Sequence, residues 1–151
     1  MRTYYEVIIM PVALISVSEK KGIDVFAKEL ISLGFEIFAS SGTAKYLTDR
    51  KIPVRDIASL VGKPILGHRV VTLSREIHAG VLAADTPEAR AELRELGLPR
   101  IDLVCVDLYP LQKTIEIHGL SRAHVIEQTD VGGIALLHAG AKGRRIVIAH
   151  P

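Results

Sequence analysis

Apolar runs alternate with segments of helical periodicity along most of this 151-residue chain. Apolar runs predict strands at 12–17, 35–39, 101–109 and 145–150, and a short strand is predicted at 53–57. Amphipathic spacing predicts helices between them, at 22–34, 43–50, 86–97, 121–128 and 133–142, with one more from about Arg75 and a loop over 58–75. Strands that are apolar on both faces are typical of a parallel sheet covered by helices on both sides. The pattern therefore predicts an α/β fold, a three-layer α/β/α domain with a mainly parallel sheet.

Local signals set the limits of these elements and of the domain. Thr86 followed by Pro87 predicts the first turn of one helix, and Gly34 predicts the end of another. The domain is predicted to span 12–151. Residues 1–11 are predicted to be an N-terminal extension; their alternation could add an edge strand, or Met10 could be the natural start.

Composition excludes several classes of function. The chain is 48% hydrophobic and 24% charged, a globular balance, while aromatic residues reach only 5%. A net charge of +2 and a pI of about 8.8 fall short of a nucleic-acid-binding surface but suit a small anionic ligand. No apolar stretch reaches the roughly 18 residues of a membrane span. The single cysteine, Cys105, is predicted to be a buried thiol, and the chain is predicted to be cytoplasmic.

The segment FEIFASSGTAKYL, residues 35–47, is the strongest candidate for a ligand site. A predicted strand leads through Ser40, Ser41, Gly42 and Thr43 into a predicted helix. Free N–H groups at a helix N-terminus attract anions, and a glycine lets a ligand approach the backbone closely. The pattern predicts a phosphate site in which the three hydroxyls also donate; the alternative is a plain helix cap.

Ligands of parallel sheets bind at the carboxyl ends of the strands. Polar residues follow three predicted strands, at 16–20, 40–43 and 107–110. Lys20, close to Ser18, could supply a full positive charge to the same anion; the alternative is a solvated surface lysine. Arg69 and Thr72 are further candidates, with an ordinary loop arginine as the alternative.

Three titratable residues form a candidate acid–base set beside this anion site. Tyr109 follows the most apolar strand, Asp130 precedes Gly132 and Gly133 at a predicted helix start, and Lys142 lies at the end of that helix. The alternatives are an N-cap for Asp130 and a cation favoured by the helix C-terminus for Lys142. The six histidines are too scattered to form a metal motif, and no dinucleotide, NTP or serine-hydrolase motif is present.

Six segments occur in a fixed order: ALISVSEKKG, FASSGTAKYL, GHRVVTL, IHAGVLA, IDLVCVDLYP and EQTDVGGIALLHAGAKG. Together they resemble the inosine monophosphate (IMP) cyclohydrolase domain of PurH proteins, which has the methylglyoxal-synthase-like fold. The resemblance runs from Val12 to about Ala149. It implies dehydrative ring closure of 5-formamidoimidazole-4-carboxamide ribotide to IMP in purine biosynthesis, without cofactor or metal. It also implies a homodimer and raises the prospect of a separate transformylase partner.

The resemblance assigns roles to individual residues. It implies catalytic roles for Tyr109, Asp130 and Lys142. It implies that the phosphorylated nucleotide is bound by Ser18, Lys20, Ser40, Ser41, Gly42, Thr43, Arg69, Thr72, Val131 and Gly132.

The chain also departs from the family pattern. Val71 replaces the lysine of the RVKT motif, for which Lys63 is a possible substitute, and His138 replaces an arginine. Ser74 and Arg75 stand where the family has a His-Pro pair. Gly143 and Arg144 stand where it has an Asn-His pair after the lysine that matches Lys142. These changes keep open a non-catalytic nucleotide-binding module of the same fold and, more weakly, a methylglyoxal synthase.

Overall fold

The computed structural model describes residues 10–67, 69–149 and 151. Within these ranges five parallel strands form one sheet in the order β3-β2-β1-β4-β5. The strands are β1 Val12–Ser16, β2 Glu36–Ala39, β3 Arg55–Asp56, β4 Leu103–Val106 and β5 Ile146–Ile148. The predicted parallel sheet is confirmed. Most of the predicted N-terminal extension, residues 1–9, lies outside the described residues.

Eight helices accompany the sheet in the described part of the chain. They are α1 Ile23–Ser32, α2 Ser41–Asp49, α3 Ala58–Val61, α4 Arg75–Leu82, α5 Pro87–Glu95, α6 Leu111–Ile115, α7 Arg122–Glu127 and α8 Gly132–Lys142. The predicted caps are confirmed: Thr86 accepts the N–H of Ala89 at 3.2 Å, and Gly34 ends the turn after α1 with a φ of 87°.

Three short elements differ from the prediction. Helix α3 lies inside the segment predicted to be a loop, and α6 lies where no helix was predicted. Strand β4 ends at Val106, its last residue in register with β1, although the apolar run continues to Tyr109. Elements of four or five residues are too short to show a period of 3.6, which explains both missed helices.

The sheet separates two hydrophobic clusters. Ala13 and Ile15 of the central strand face a cluster that includes α1 and α2. Val12 and Leu14 face the opposite cluster, which includes α4 and α8. Both clusters contain side chains with no exposed surface, each worth about 1.5–3 kcal/mol of burial. This arrangement confirms the three-layer α/β/α architecture.

Because all strands are parallel, their carboxyl ends meet along one edge of the sheet. β1, β2 and β4 are neighbours there, and the loops that follow them converge. The backbone N–H of Ser40 donates to the carbonyl of Ile15 at 3.1 Å, which ties the segment after β2 to the end of β1. The fold therefore brings together three chain segments that the sequence separates by up to 90 residues.

Candidate functional site

A cavity of about 860 Å³ opens at this edge of the sheet, a size typical of small-molecule sites. Its walls come from the loop after β1, the start of α2, residues 64–67 and 69–72, the segment after β4 and the α7–α8 connection. Among its lining residues are all but one of the predicted site residues: Ser18, Lys20, Ser40, Ser41, Gly42, Thr43, Arg69, Thr72, Tyr109, Asp130, Val131 and Gly132.

The N-terminus of α2 presents backbone amides to this cavity. Ser40 precedes the helix in an extended conformation, and the first helical bond runs from the N–H of Ala44 to the carbonyl of Ser40 at 2.8 Å. The N–H groups of Ser41, Gly42 and Thr43 come before that bond and find no acceptor among the described residues. Three adjacent donors at a helix N-terminus form a site suited to a phosphate.

The hydroxyls of this segment are engaged within the protein, which differs from the prediction that all three donate to the ligand. Thr43 is fully buried, and its Oγ1 donates to the carbonyl of Val17 at 3.2 Å. Ser41 Oγ donates to Asp56 Oδ1 at 3.1 Å, and Ser40 Oγ lies 3.4 Å from Thr43 Oγ1. The hydroxyls therefore brace the loop, and the amides are the donors left for an anion.

Gly42 has no intramolecular reason to be glycine. The chain has twelve glycines, all within the described residues, and each of the other eleven either has a positive φ or would bring a Cβ within 3 Å of another atom. A Cβ on Gly42 would meet nothing within 4 Å. This open space beside three free amides allows a ligand to approach the backbone closely.

Lys20 is held at the cavity rather than extended into solvent. Its Nζ donates to the carbonyl of Val17 and, at 3.2 Å, to that of Ser18. Burial lowers the pKa of Lys20 below its ordinary value, and the carboxylates of Asp107 and Glu19 partly offset that effect. The ammonium is therefore fixed near the amides at the start of α2, with which it shares the cavity.

Asp130 caps helix α8 and also lies in the cavity wall. Its Oδ1 accepts the N–H of Gly133 at 2.6 Å. A Cβ on Gly133 would lie 2.7 Å from Asp130 Oδ2 and 2.8 Å from a methyl carbon of Leu108, so a larger residue there would displace these side chains. The capping alternative is therefore observed, and Oδ2 remains without a hydrogen-bond donor among the described residues.

The other polar groups of this wall come from three segments. Tyr109 is about half exposed after β4. Arg69 forms an ion pair with Glu127 at the end of α7, and both line the cavity. Thr72 packs against α8, since its Oγ1 lies 2.5 Å from the position of a Cβ on Gly132. Glu127 was not predicted to be a site residue, although it stands in the EQTD run beside Asp130.

The structure places Lys142 apart from this cavity, and its catalytic role stays a prediction from the family resemblance. Asp130 and Lys142 lie at opposite ends of α8, and the 11-residue helix is about 15 Å long. Lys142 is exposed and does not line the cavity. Lys63 does not line it either, whereas Val71 does and also packs against the cluster that includes α4 and α8.

The described residues offer no candidate for a metal site, a reactive thiol or a membrane-spanning helix. They contain no group of three or more His, Cys, Asp or Glu that could hold a metal ion. Cys105 is buried in β4, where burial raises the pKa of its thiol to about 12 and keeps it protonated. No helix in the described ranges is both long and apolar enough to cross a bilayer.

Comparison with known proteins gives matches that cover most of the chain. The family model for the MGS-like domain matches residues 22–135. The bifunctional purine biosynthesis protein PurH of Persephonella marina is 45% identical over 137 residues, which are 89% of this chain and 26% of that protein. PurH of a Cyanothece species is 45% identical over 135 residues, 87% of this chain and 26% of that protein.

A solved structure shows the same fold. The crystal structure of ForH matches with a TM-score of 0.74 and 35% identity, covering 94% of this chain and 74% of that one. The chain spans about a quarter of the length of the curated relatives it matches. The resemblance to the MGS-like domain of PurH proteins is thereby confirmed.

Proposed function

This chain belongs to the MGS-like domain family, and on that premise we propose that it is an IMP cyclohydrolase of purine biosynthesis. Its substrate is 5-formamidoimidazole-4-carboxamide ribotide, whose six-membered ring it closes with loss of water. The observation that carries this proposal is the cavity itself: an anion-binding end and an acid–base end face one space of about 860 Å³. The identity to PurH proteins over nearly the whole chain supports the choice of substrate.

The 5′-phosphate binds at the start of α2. The N–H groups of Ser41, Gly42 and Thr43 donate to its oxygens, the helix dipole favours its negative charge, and Lys20 adds a full positive charge. At an effective dielectric constant near 20, an ammonium about 4 Å from an anionic oxygen contributes about 4 kcal/mol before desolvation. This end of the cavity anchors the nucleotide, and the base extends toward α8.

The ring closure forms one bond and breaks another. The carboxamide nitrogen gives up a proton as it bonds to the formyl carbon, and the formyl oxygen becomes a hydroxyl. That hydroxyl then leaves as water, with the second proton coming from the formamido nitrogen. Asp130, through Oδ2, accepts the first proton, and the phenol of Tyr109 donates to the oxygen that leaves. Holding the two arms together supplies much of the rate, since the reaction is intramolecular.

A second candidate function is a non-catalytic nucleotide-binding module. Two observations favour it: Val71 lines the cavity where the PurH-like motif has a lysine, and Lys142 lies at the far end of α8. Among the described residues that line this end, Arg69 is the cation, and it is paired with Glu127. A methylglyoxal synthase is a weaker third candidate, because the LYP and DVGG segments match the PurH pattern.

An absorbance assay separates these candidates. Purified protein is mixed with the formylated ribotide, and IMP formation is followed against a buffer blank. We expect IMP to form faster than in the blank. Binding of IMP without any turnover would support the nucleotide-binding module instead. The homodimer and a separate transformylase partner remain predictions from the family resemblance, and a cytoplasmic location remains a prediction from the composition.

A further inference from the structure

Asp107 follows β4 directly, and its carboxylate holds the loop that leaves the neighbouring strand β1. One of its oxygens accepts the backbone N–H of Ser18, and the other accepts that of Glu19 at 2.9 Å. Ser16 and Val106 are the last residues paired between these two strands. The side chain of Asp107 therefore continues the connection between the strands beyond the end of the sheet.

The loop held by Asp107 carries Lys20 and is braced at further points. Glu19 accepts the N–H groups of Lys20 and Lys21 at 2.8 and 2.9 Å. The ammonium of Lys20 donates to carbonyls of this same loop. Because its partners are backbone atoms of residues 17 and 18, the position of the ammonium follows the path of the loop that Asp107 fixes.

Asp107 lines the cavity and carries a negative charge, so two opposite effects on anion binding can be predicted for it. A carboxylate beside a phosphate site repels the ligand, so electrostatics alone predicts that removing the charge of Asp107 strengthens anion binding. A carboxylate that accepts hydrogen bonds from two adjacent backbone N–H groups also orients the loop. Losing the carboxylate frees both N–H groups and lets the loop move. The two effects act on anion affinity in opposite directions, which makes them separable by experiment.

On the basis of the proposed phosphate site, we propose that Asp107 is a positioning residue for anion binding. It does not contact the phosphate; it fixes the Ser18–Glu19 backbone and thereby holds the Lys20 ammonium against the cavity. Its negative charge is tolerated because the two amides and Lys20 surround it. The family resemblance did not assign Asp107 to the site, so this role is an addition to the predicted site residues.

The test uses inorganic phosphate and isothermal titration calorimetry on the full chain. In Asp107→Asn the amide NH₂ group faces a backbone N–H, so one of the two hydrogen bonds is lost. We expect phosphate to bind about tenfold more weakly than to the wild type. Affinity equal to or higher than that of the wild type would overturn the proposal.

Asp102→Asn is the matched control. Asp102 also accepts a backbone N–H, that of Val12 at 3.0 Å, but at the opposite end of the sheet and outside the cavity. This variant should bind phosphate as the wild type does. If Asp107→Asn does not fold, Asp107→Glu takes its place: its longer side chain displaces the loop, and unchanged affinity there would also overturn the proposal.

The pH dependence of binding gives a readout that a general loss of stability does not move. Asp107 and Glu19 are the carboxylates that face Lys20 and offset its burial. In Asp107→Asn the loss of phosphate affinity at alkaline pH should move to lower pH, and Asp102→Asn should show no such change. Equal phosphate binding by the wild type and Lys20→Ala would contradict the proposed phosphate site itself, independently of Asp107.

Discussion

The two ends of the cavity are built differently. At the end formed by the β1–α1 loop and the start of α2, three free amides and a fixed lysine face the same space, and the surrounding hydroxyls brace the loop. At the end formed by residues 69–72, α7 and α8, Arg69 is paired with Glu127 and one oxygen of Asp130 caps a helix. The first end is equipped for an anion, while the second has few free groups for chemistry.

This difference separates binding from turnover. Anion binding needs donors in a fixed arrangement, which the first end has. Ring closure also needs groups that stabilise the transition state, and at the second end the apolar Val71 lines the cavity. The comparison predicts a protein that binds phosphorylated nucleotides well and catalyses slowly.

The largest expected effect is at the reacting end. Asp130→Asn keeps the helix cap, because asparagine caps as well as aspartate, but removes the proton acceptor. We expect IMP formation to fall by about 10²–10⁴-fold while the affinity for IMP, measured by calorimetry, stays near that of the wild type. Turnover at the wild-type rate would show that Asp130 is only a cap.

At the anion end, Lys20→Ala should weaken IMP binding by about tenfold or more, about 1.4 kcal/mol. Lys21→Ala is the matched control, because Lys21 is exposed and lies outside the cavity. In the wild type, affinity should fall as pH rises through the lowered pKa of Lys20, since only the charged ammonium attracts the phosphate. Inosine, which lacks the phosphate, should stabilise the protein against heat much less than IMP; equal protection would contradict the assignment.

A lysine at position 71 would give the second end of the cavity an added cation, as Lys20 does at the first end. Val71→Lys should raise the rate of IMP formation at least about tenfold, about 1.4 kcal/mol of transition-state stabilisation. Val71→Met, which is longer than valine but uncharged, is the control and should not raise it. A fast wild type with no gain from Val71→Lys would show that another group supplies the charge.

The smallest effect is expected at Gly42. Gly42→Ala meets no atom of the protein and favours helix, so the melting temperature should stay equal or rise slightly. Phosphate binding should weaken by about threefold, because the methyl group occupies the space that an anion needs to reach the amides. Lys45→Ala, an exposed change on the same helix, is the control. Unchanged phosphate affinity in Gly42→Ala would place the anion elsewhere.

The sequence predicted the strongly patterned parts of the fold. β1, β2 and β4 are predominantly apolar, and α5 begins with its own cap at Thr86. The short helices α3 and α6 depend on contacts with the rest of the fold, which no local pattern records, whereas the short strand β3 lies within the predicted strand 53–57. Tertiary context therefore decides the elements that are too short to have a period.

The candidate site was predictable where it depends on strand ends. Residues 16–20, 40–43 and 107–110 follow strands that meet at one edge, so their convergence follows from the parallel sheet. The distance of Lys142 also follows from the sequence, because twelve positions separate it from Asp130 along a predicted helix. The engagement of Thr43 and the pairing of Arg69 with Glu127 depend on side-chain directions, which required the structure.

The structure of the protein with IMP bound tests the two-ended cavity most directly. The account predicts phosphate oxygens within hydrogen-bond distance of the N–H groups of Ser41, Gly42 and Thr43 and of Lys20 Nζ, with the six-membered ring of the base beside Asp130 and Tyr109. A phosphate bound by Arg69, with the base at the start of α2, would contradict it.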